Sequence, residues 1–309
     1  MHSRGLDIAG AAPILYRMTI ALASSGRLTH LGILRFTGPD ALSFLQGQVS
    51  NDTQRLTDNT SLLAAYSNAQ GRVIALIYLL PHSSGVIAIL PREILQPTME
   101  RMRKFILRAK VKIEDAGDSL AVAGYFGTMP ESSGGYSEAD GVGVAPVARD
   151  KNRFWLIAAP QKFASAVDAA GARRIENEWR LADIRAGLPQ VYAATSEAFV
   201  AQMLNLDLLD GISFTKGCYT GQEIIARTQH LGRIKRRLYR LSLPAGAWSI
   251  GQALRLSDGR QGRLTEVIEN GGRIEALAVL TAEPGPAADG DAAQIAVHAA
   301  ELPLPYPLA

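Results

Sequence analysis

The single cysteine of this 309-residue chain, Cys218, lies in GISFTKGCYTGQEIIAR, residues 211–227, where a glycine-broken loop runs into a helical pattern. A cysteine acts as nucleophile or ligand in its thiolate form. Two neighbours would favour that form here: Lys216 two residues upstream, and the free NH groups of a following helix for which Thr220 is the expected N-cap. A lone cysteine also serves as a small buried apolar residue. No CxxC pair and no adjacent histidine base stand beside it to decide between the two roles.

The elements that must hold this loop are legible in the apolar pattern. Gly38-Pro39-Asp40 opens a short helix that Asp40 would cap, with Leu42 and Leu45 on one face and Gly47 at its end. The runs 62–66, 72–80 and 86–90, separated by Asn68-Ala69-Gln70-Gly71 and His82-Ser83-Ser84-Gly85, predict an antiparallel meander. From Glu93 to Arg108 the spacing of Ile94, Leu95, Met99, Met102 and Ile106 predicts a helix covering the sheet. VKIED and SLAVAGYF read as strands, ESSGGYSEADGVG as an exposed loop or linker, FWLIAA as a strand, and the segments after Gln161 and Glu176 as helices. After Arg237 short strands punctuated by glycine and proline predict a small β-barrel or sandwich. It closes on a Pro-rich extended strap, ELPLPYPLA. Hydrophobic residues make up 47% and charged residues 20% of the chain, which excludes a disordered protein. No apolar run is long enough to span a membrane, and the apolar stretch near the N-terminus is interrupted by Asp7, Pro13 and Arg17. A reduced, cytoplasmic setting is the expectation from one cysteine.

KGCYTGQE followed by Ala226-Arg227 closely resembles the signature of the YgfZ-type folate-binding family. These are relatives of the glycine-cleavage T-protein and of the mitochondrial iron-sulfur assembly factor of the same lineage. FLQGQVSND at 44–52, SNAQGR at 67–72, AGLPQV at 186–191, FVAQMLNLD at 199–207 and the terminal LPY accompany it in the family's order. The resemblance runs over roughly residues 28–309. It implies an α+β fold: a three-part ring like that of the aminomethyltransferases, two intertwined α+β subdomains over residues 26–235 and a C-terminal β-barrel over 236–309, preceded by an extension over 1–25. It also implies a central pocket for tetrahydrofolate or a related reduced folate.

On that resemblance Cys218 and Lys216 are the expected reactive pair. Trp179 is the expected folate-stacking indole, and Gln48, Asn51, Asp52, Asn68, Arg72, Gln202, Asn205, Tyr219, Gln222 and Arg227 are the expected cofactor contacts. The short polar groups among these equally suit helix caps and turn closures. Departures are visible. A second tryptophan found in some relatives falls on Leu31. The acids that follow the glycines of the T-protein's matching turn are replaced by Arg72-Val73-Ile74, which argues against aminomethyl transfer. Asp183 and Arg185 stand where the T-protein has an arginine and a glutamate. The implied function is support of iron-sulfur client enzymes, a tRNA-modifying enzyme among them. A folate-dependent one-carbon transferase and a tRNA-binding module are the alternatives. Two cationic runs, Arg227 to Arg240 and Arg101 to Lys112, each without an acid, could meet tRNA phosphates, a folate polyglutamate tail or an acidic protein, or be solvated faces.

Overall fold

The computed structural model describes residues 25–56, 60–128, 135–147, 150–163, 169–231, 233–285 and 296–308. The extension expected over residues 1–25 lies outside them except for Ser25. Three five-stranded antiparallel sheets organise the described chain. The first contains β2 (Leu31–Thr37), β3 (Leu62–Ser67), β4 (Val73–His82), β5 (Gly85–Pro91) and β6 (Lys112–Asp115), in the order β3-β4-β5-β2-β6. The second takes β1 (Gly26–Arg27), β7 (Ala121–Phe126), β8 (Ser137–Ala139), β9 (Val142–Val147) and β10 (Asp150–Ala158), in the order β1-β7-β10-β9-β8.

The third sheet is built by the C-terminal segment from β11 (Arg236–Leu243), β12 (Ala253–Arg255), β13 (Gln261–Asn270), β14 (Arg273–Thr281) and β15 (Ala300–Leu302). A parallel bridge from Leu256 to Val297 extends it. Tyr306, in the Pro-rich end, is buried against Gly187 and donates to its carbonyl.

Strand β4 is a continuous apolar run because both faces of its sheet are covered. Leu76, Tyr78 and Leu80 join a core shared with the other two sheets, while Ile74, Ile77 and Leu79 join a second core. That second core lies under helix α2 (Arg92–Arg103), whose Ile94, Leu95, Met99 and Met102 are buried. Helix α1 (Ala41–Gln46) buries Phe44 and Leu45. No helix among the described residues is long and apolar enough to cross a membrane.

Four local expectations are corrected. Leu42 does not share the buried face of Leu45 but is largely exposed, and Asp40 makes no side-chain cap; its carboxylate accepts instead from the Lys110 backbone NH at 2.6 Å. Helix α2 stops at Arg103 rather than Arg108, because the Arg103 guanidinium donates to the Ile113 carbonyl at 2.6 Å and draws the returning chain against the helix end. The Gly/Ser-rich stretch is not wholly loop: it holds β8 and the start of β9, which pair as a hairpin, with Tyr136 buried.

Candidate functional site

The two glycine-bearing motifs meet backbone to backbone. In the SNAQGR turn the Asn68 Oδ1 accepts from the NH groups of Gln70 and Arg72 at 3.0 and 2.9 Å, and Gly71 takes φ 71°. Helix α4 (Gln222–Leu231) begins one residue later than Thr220 would allow, so Gly221, at φ 83°, takes the cap position. A Cβ on Gly221 would lie 2.6 Å from the Asn68 carbonyl oxygen and 3.0 Å from Gly71 Cα. Only glycine fits this crossing. Gln222 closes the turn by accepting from the Tyr219 NH at 3.1 Å.

The cysteine loop is bolted to residues 46–52 by Lys216. Its ammonium donates to the carbonyls of Gln46, Val49 and Asn51 at 2.7, 2.7 and 2.8 Å and lies 4.9 Å from the centre of the Tyr219 ring. All three donors are therefore engaged, and burial pushes the amine down to about 8. This corrects the expected pairing of Lys216 with Cys218: the lysine holds the loop, and the thiol stands exposed. A side chain at neighbouring Gly217 would meet open space.

Asn51 and Asp52 are structural in the same sense. Asn51 Nδ2 donates to the carbonyls of Leu63 and Asp210, and Asp52 accepts from the Gln54 NH and from Gln46. Gln48 differs, because its buried Oε1 has no partner among the described residues.

Beside this crossing opens a cavity of about 390 Å³. Val200, Met203, Ile224 and Ile234 give it an apolar lining, and Arg227, Thr228, Arg233 and Lys235 supply polar groups. Ile224, Arg227 and Thr228 face it together because they are three and four residues apart on α4. Val200 is held by its bridge to Arg72, whose guanidinium donates to the Ala198 carbonyl at 2.7 Å. Gln202 fastens the helix from behind through Nε2 to the Ile225 carbonyl, leaving its buried Oε1 without a partner among the described residues. Asn205, at φ 57°, pairs through Nδ2 and Oδ1 with the backbone of Leu238 and so ties the site to the barrel. Met203, Ile224 and Ile234 were not anticipated as lining; their only sequence signal was proximity to the two motifs.

A scan against models of protein families gives no match. Against curated proteins, the chain is 30% identical over 273 residues to the tRNA-modifying protein YgfZ of Pectobacterium atrosepticum, covering 84% of this chain and 82% of that one. It is 32% identical over 256 residues to the protein of the same name from Pectobacterium carotovorum, with 78% and 77% covered. The chain belongs to the YgfZ family. A crystal structure of the glycine cleavage system aminomethyltransferase T from Bartonella henselae superposes with a TM-score of 0.58 at 12% identity, over 86% of this chain and 81% of that one. The α+β fold is thus of the aminomethyltransferase kind.

Within this YgfZ-family fold Trp179 is buried in the core. It lies on helix α3 (Ala169–Ala186), 1% exposed, with its ring so close to β7 that a Cβ on Gly124 would fall 2.4 Å from Cε3. Phe126 meets it edge-on at 5.5 Å and the Arg153 guanidinium lies 4.9 Å from the ring centre.

The swapped charges of the same helix have found partners. Asp183 receives Arg153 Nη1 at 2.7 Å, and Arg185 Nη2 reaches Glu275 of β14 at 2.8 Å. Burial pushes the Asp183 carboxyl up despite Arg153. Arg153 was missed as a structural residue because it stands just before the apolar run FWLIAA; within β10 it is buried, and a buried charge demands a partner. A carboxylate also reaches the Gly71 turn from elsewhere in the chain: Glu197 accepts from Asn68 at 2.8 Å and pairs with Arg101 at 3.2 Å.

Proposed function

We propose that this protein binds a reduced folate in the cavity beside α4 and, through the exposed Cys218 loop, supports cytoplasmic iron-sulfur enzymes, with tRNA modification as one outcome. The observation that carries the folate part is the composition of the cavity. An apolar lining suits a pterin or benzoyl ring, and Arg227, Arg233 and Lys235 suit the carboxylates of a glutamate tail. The volume falls in the range of about 300–1,000 Å³ usual for small-molecule sites. Bound, a reduced folate supplies a carrier for one-carbon units; the protein's own residues orient and desolvate it.

The link to tRNA modification is supported by the name of the relatives, tRNA-modifying protein YgfZ. The iron-sulfur part is supported by the thiol's exposure and by arithmetic. One cysteine cannot supply the three or four thiolates of an ordinary cluster, so contact with a cluster or its client is transient.

Calorimetric titration with tetrahydrofolate tests the first part. Wild type should bind, with affinity falling as salt rises. Replacing Arg227 and Arg233 together by Glu should weaken binding at least about tenfold, since each charge-assisted contact contributes roughly 1.5–3 kcal/mol. Unchanged affinity in that double variant would remove the cavity from the folate reading.

A further inference from the structure

Between α2 and β6 the chain forms an arch, residues 104–111, with two faces. Ile106, Ala109 and Val111 pack inward against the core beneath α2. Phe105 and Leu107 point the other way, 46% and 88% exposed, and Lys104, Arg108 and Lys110 are exposed around them.

Both ends of the arch are pinned. Arg103 donates to the Ile113 carbonyl at 2.6 Å, the Lys110 NH donates to Asp40 at 2.6 Å, and Phe105 and Ile106 donate back to Met102 and Arg103 at 3.0 and 3.1 Å. The display is therefore preorganised, which lowers the ordering cost of binding.

Residues 101–112, RMRKFILRAKVK, carry six cations and no acid. Arg101 pairs with Glu197, Lys112 with Glu114, and Arg103 serves the backbone. Among the described residues Lys104, Arg108 and Lys110 have no ion pair.

We infer that this arch is a docking surface for single-stranded RNA, with Phe105 stacking on an unpaired base and Lys104, Arg108 and Lys110 meeting phosphates. Cations interleaved with an accessible ring are what such strands require, because phosphates supply affinity and any base offers a face to stack on. An acidic protein segment would satisfy the charges but leave the aromatic ring without a specific task. The inference deepens the tRNA-linked part of the proposed function. It uses no residue of the folate cavity, so failure of folate binding leaves it standing, and the reverse holds.

The probe is a fluorescein-labelled oligoadenylate of about twelve nucleotides, within the footprint of one such surface, followed by anisotropy. Three phosphate contacts predict that log K falls against log salt with a slope of roughly −2 between about 50 and 200 mM. Replacing Lys104, Arg108 and Lys110 by Gln should bring the slope close to zero. Phe105→Ala should weaken binding about tenfold at unchanged slope, and Phe105→Trp should restore it. These positions are exposed, and circular dichroism with a urea unfolding curve checks that each variant is folded. Absence of binding at the lowest salt, wild-type slope in the triple variant, or a duplex binding as well as the single strand and indifferent to Phe105→Ala would each overturn the inference.

Discussion

Trp179 and Cys218 mark two regions that both hold polar and aromatic side chains, used in opposite ways. Around Trp179 the chemistry is turned inward: the indole fills the space left by Gly124, Arg153 lies on the ring, and Asp183 neutralises the guanidinium. Around Cys218 one charged group is turned inward so that its neighbour can stay out. Lys216 satisfies three carbonyls of the 46–52 loop, and the thiol two residues on remains exposed. Residue type alone does not distinguish a group that builds from one that acts. What distinguishes them is whether its hydrogen-bonding capacity is already filled.

The sharpest way to break this comparison is Trp179→Ala. Removing a fully buried indole and the ring beneath a buried cation should cost about 3–5 kcal/mol in urea unfolding, while tetrahydrofolate affinity of the folded protein stays near wild type. Loss of folate affinity with stability retained would mean that Trp179 does face a ligand.

A smaller effect comes from the joint between the same helix and the barrel. Burial raises the Glu275 carboxyl, but Arg185, Arg240 and Asn270 overcome that and hold it down at about 2. Because the folded value lies below the unfolded one, the stabilisation is present above pH 4.5 and is lost as pH falls from there towards 2. It amounts to roughly 3 kcal/mol. Glu275→Gln should flatten that part of the stability profile, and an unchanged acid limb would show that other carboxylates dominate it.

Strands and hairpins were legible because covered sheets demand apolar runs and tight turns demand glycine, as in 72–80 and around Gly85. What stayed hidden depended on partners distant in sequence. The end of α2 is set by the Ile113 carbonyl, the cap of α4 by the turn at Asn68 and Gly71, and the direction of Lys216 by carbonyls some 165–170 residues away. The strand Ser137–Ala139 escaped notice because its pattern is polar and its pairing with β9 supplies the order. For the candidate site, the motifs identified the right loops, and Arg227 does line a cavity. The burial of Trp179 was not legible because an amphipathic helix shows which residues share a face but not what stands opposite; here it is Gly124 of β7.

The smallest expected effect on stability separates the two residues of the KGC triplet that can do chemistry. Cys218→Ala removes an exposed thiol with no hydrogen-bond partner among the described residues, so urea unfolding should shift by no more than about 0.5 kcal/mol, and folate affinity should hold. Lys216→Met strands three buried or half-buried carbonyls, each a group whose lost partner costs roughly 1–3 kcal/mol, and should loosen the loop and the neighbouring cavity together. Iron-sulfur enzyme activity in a deletion strain then reads out function independently of folding. The alanine variant should fold, bind folate and fail to complement, and the native thiol should react fast with iodoacetamide because nothing covers it. Full complementation by Cys218→Ala would leave the loop a scaffold and remove the thiol from the proposed function; with slow alkylation as well, the contrast drawn between Trp179 and Cys218 would disappear.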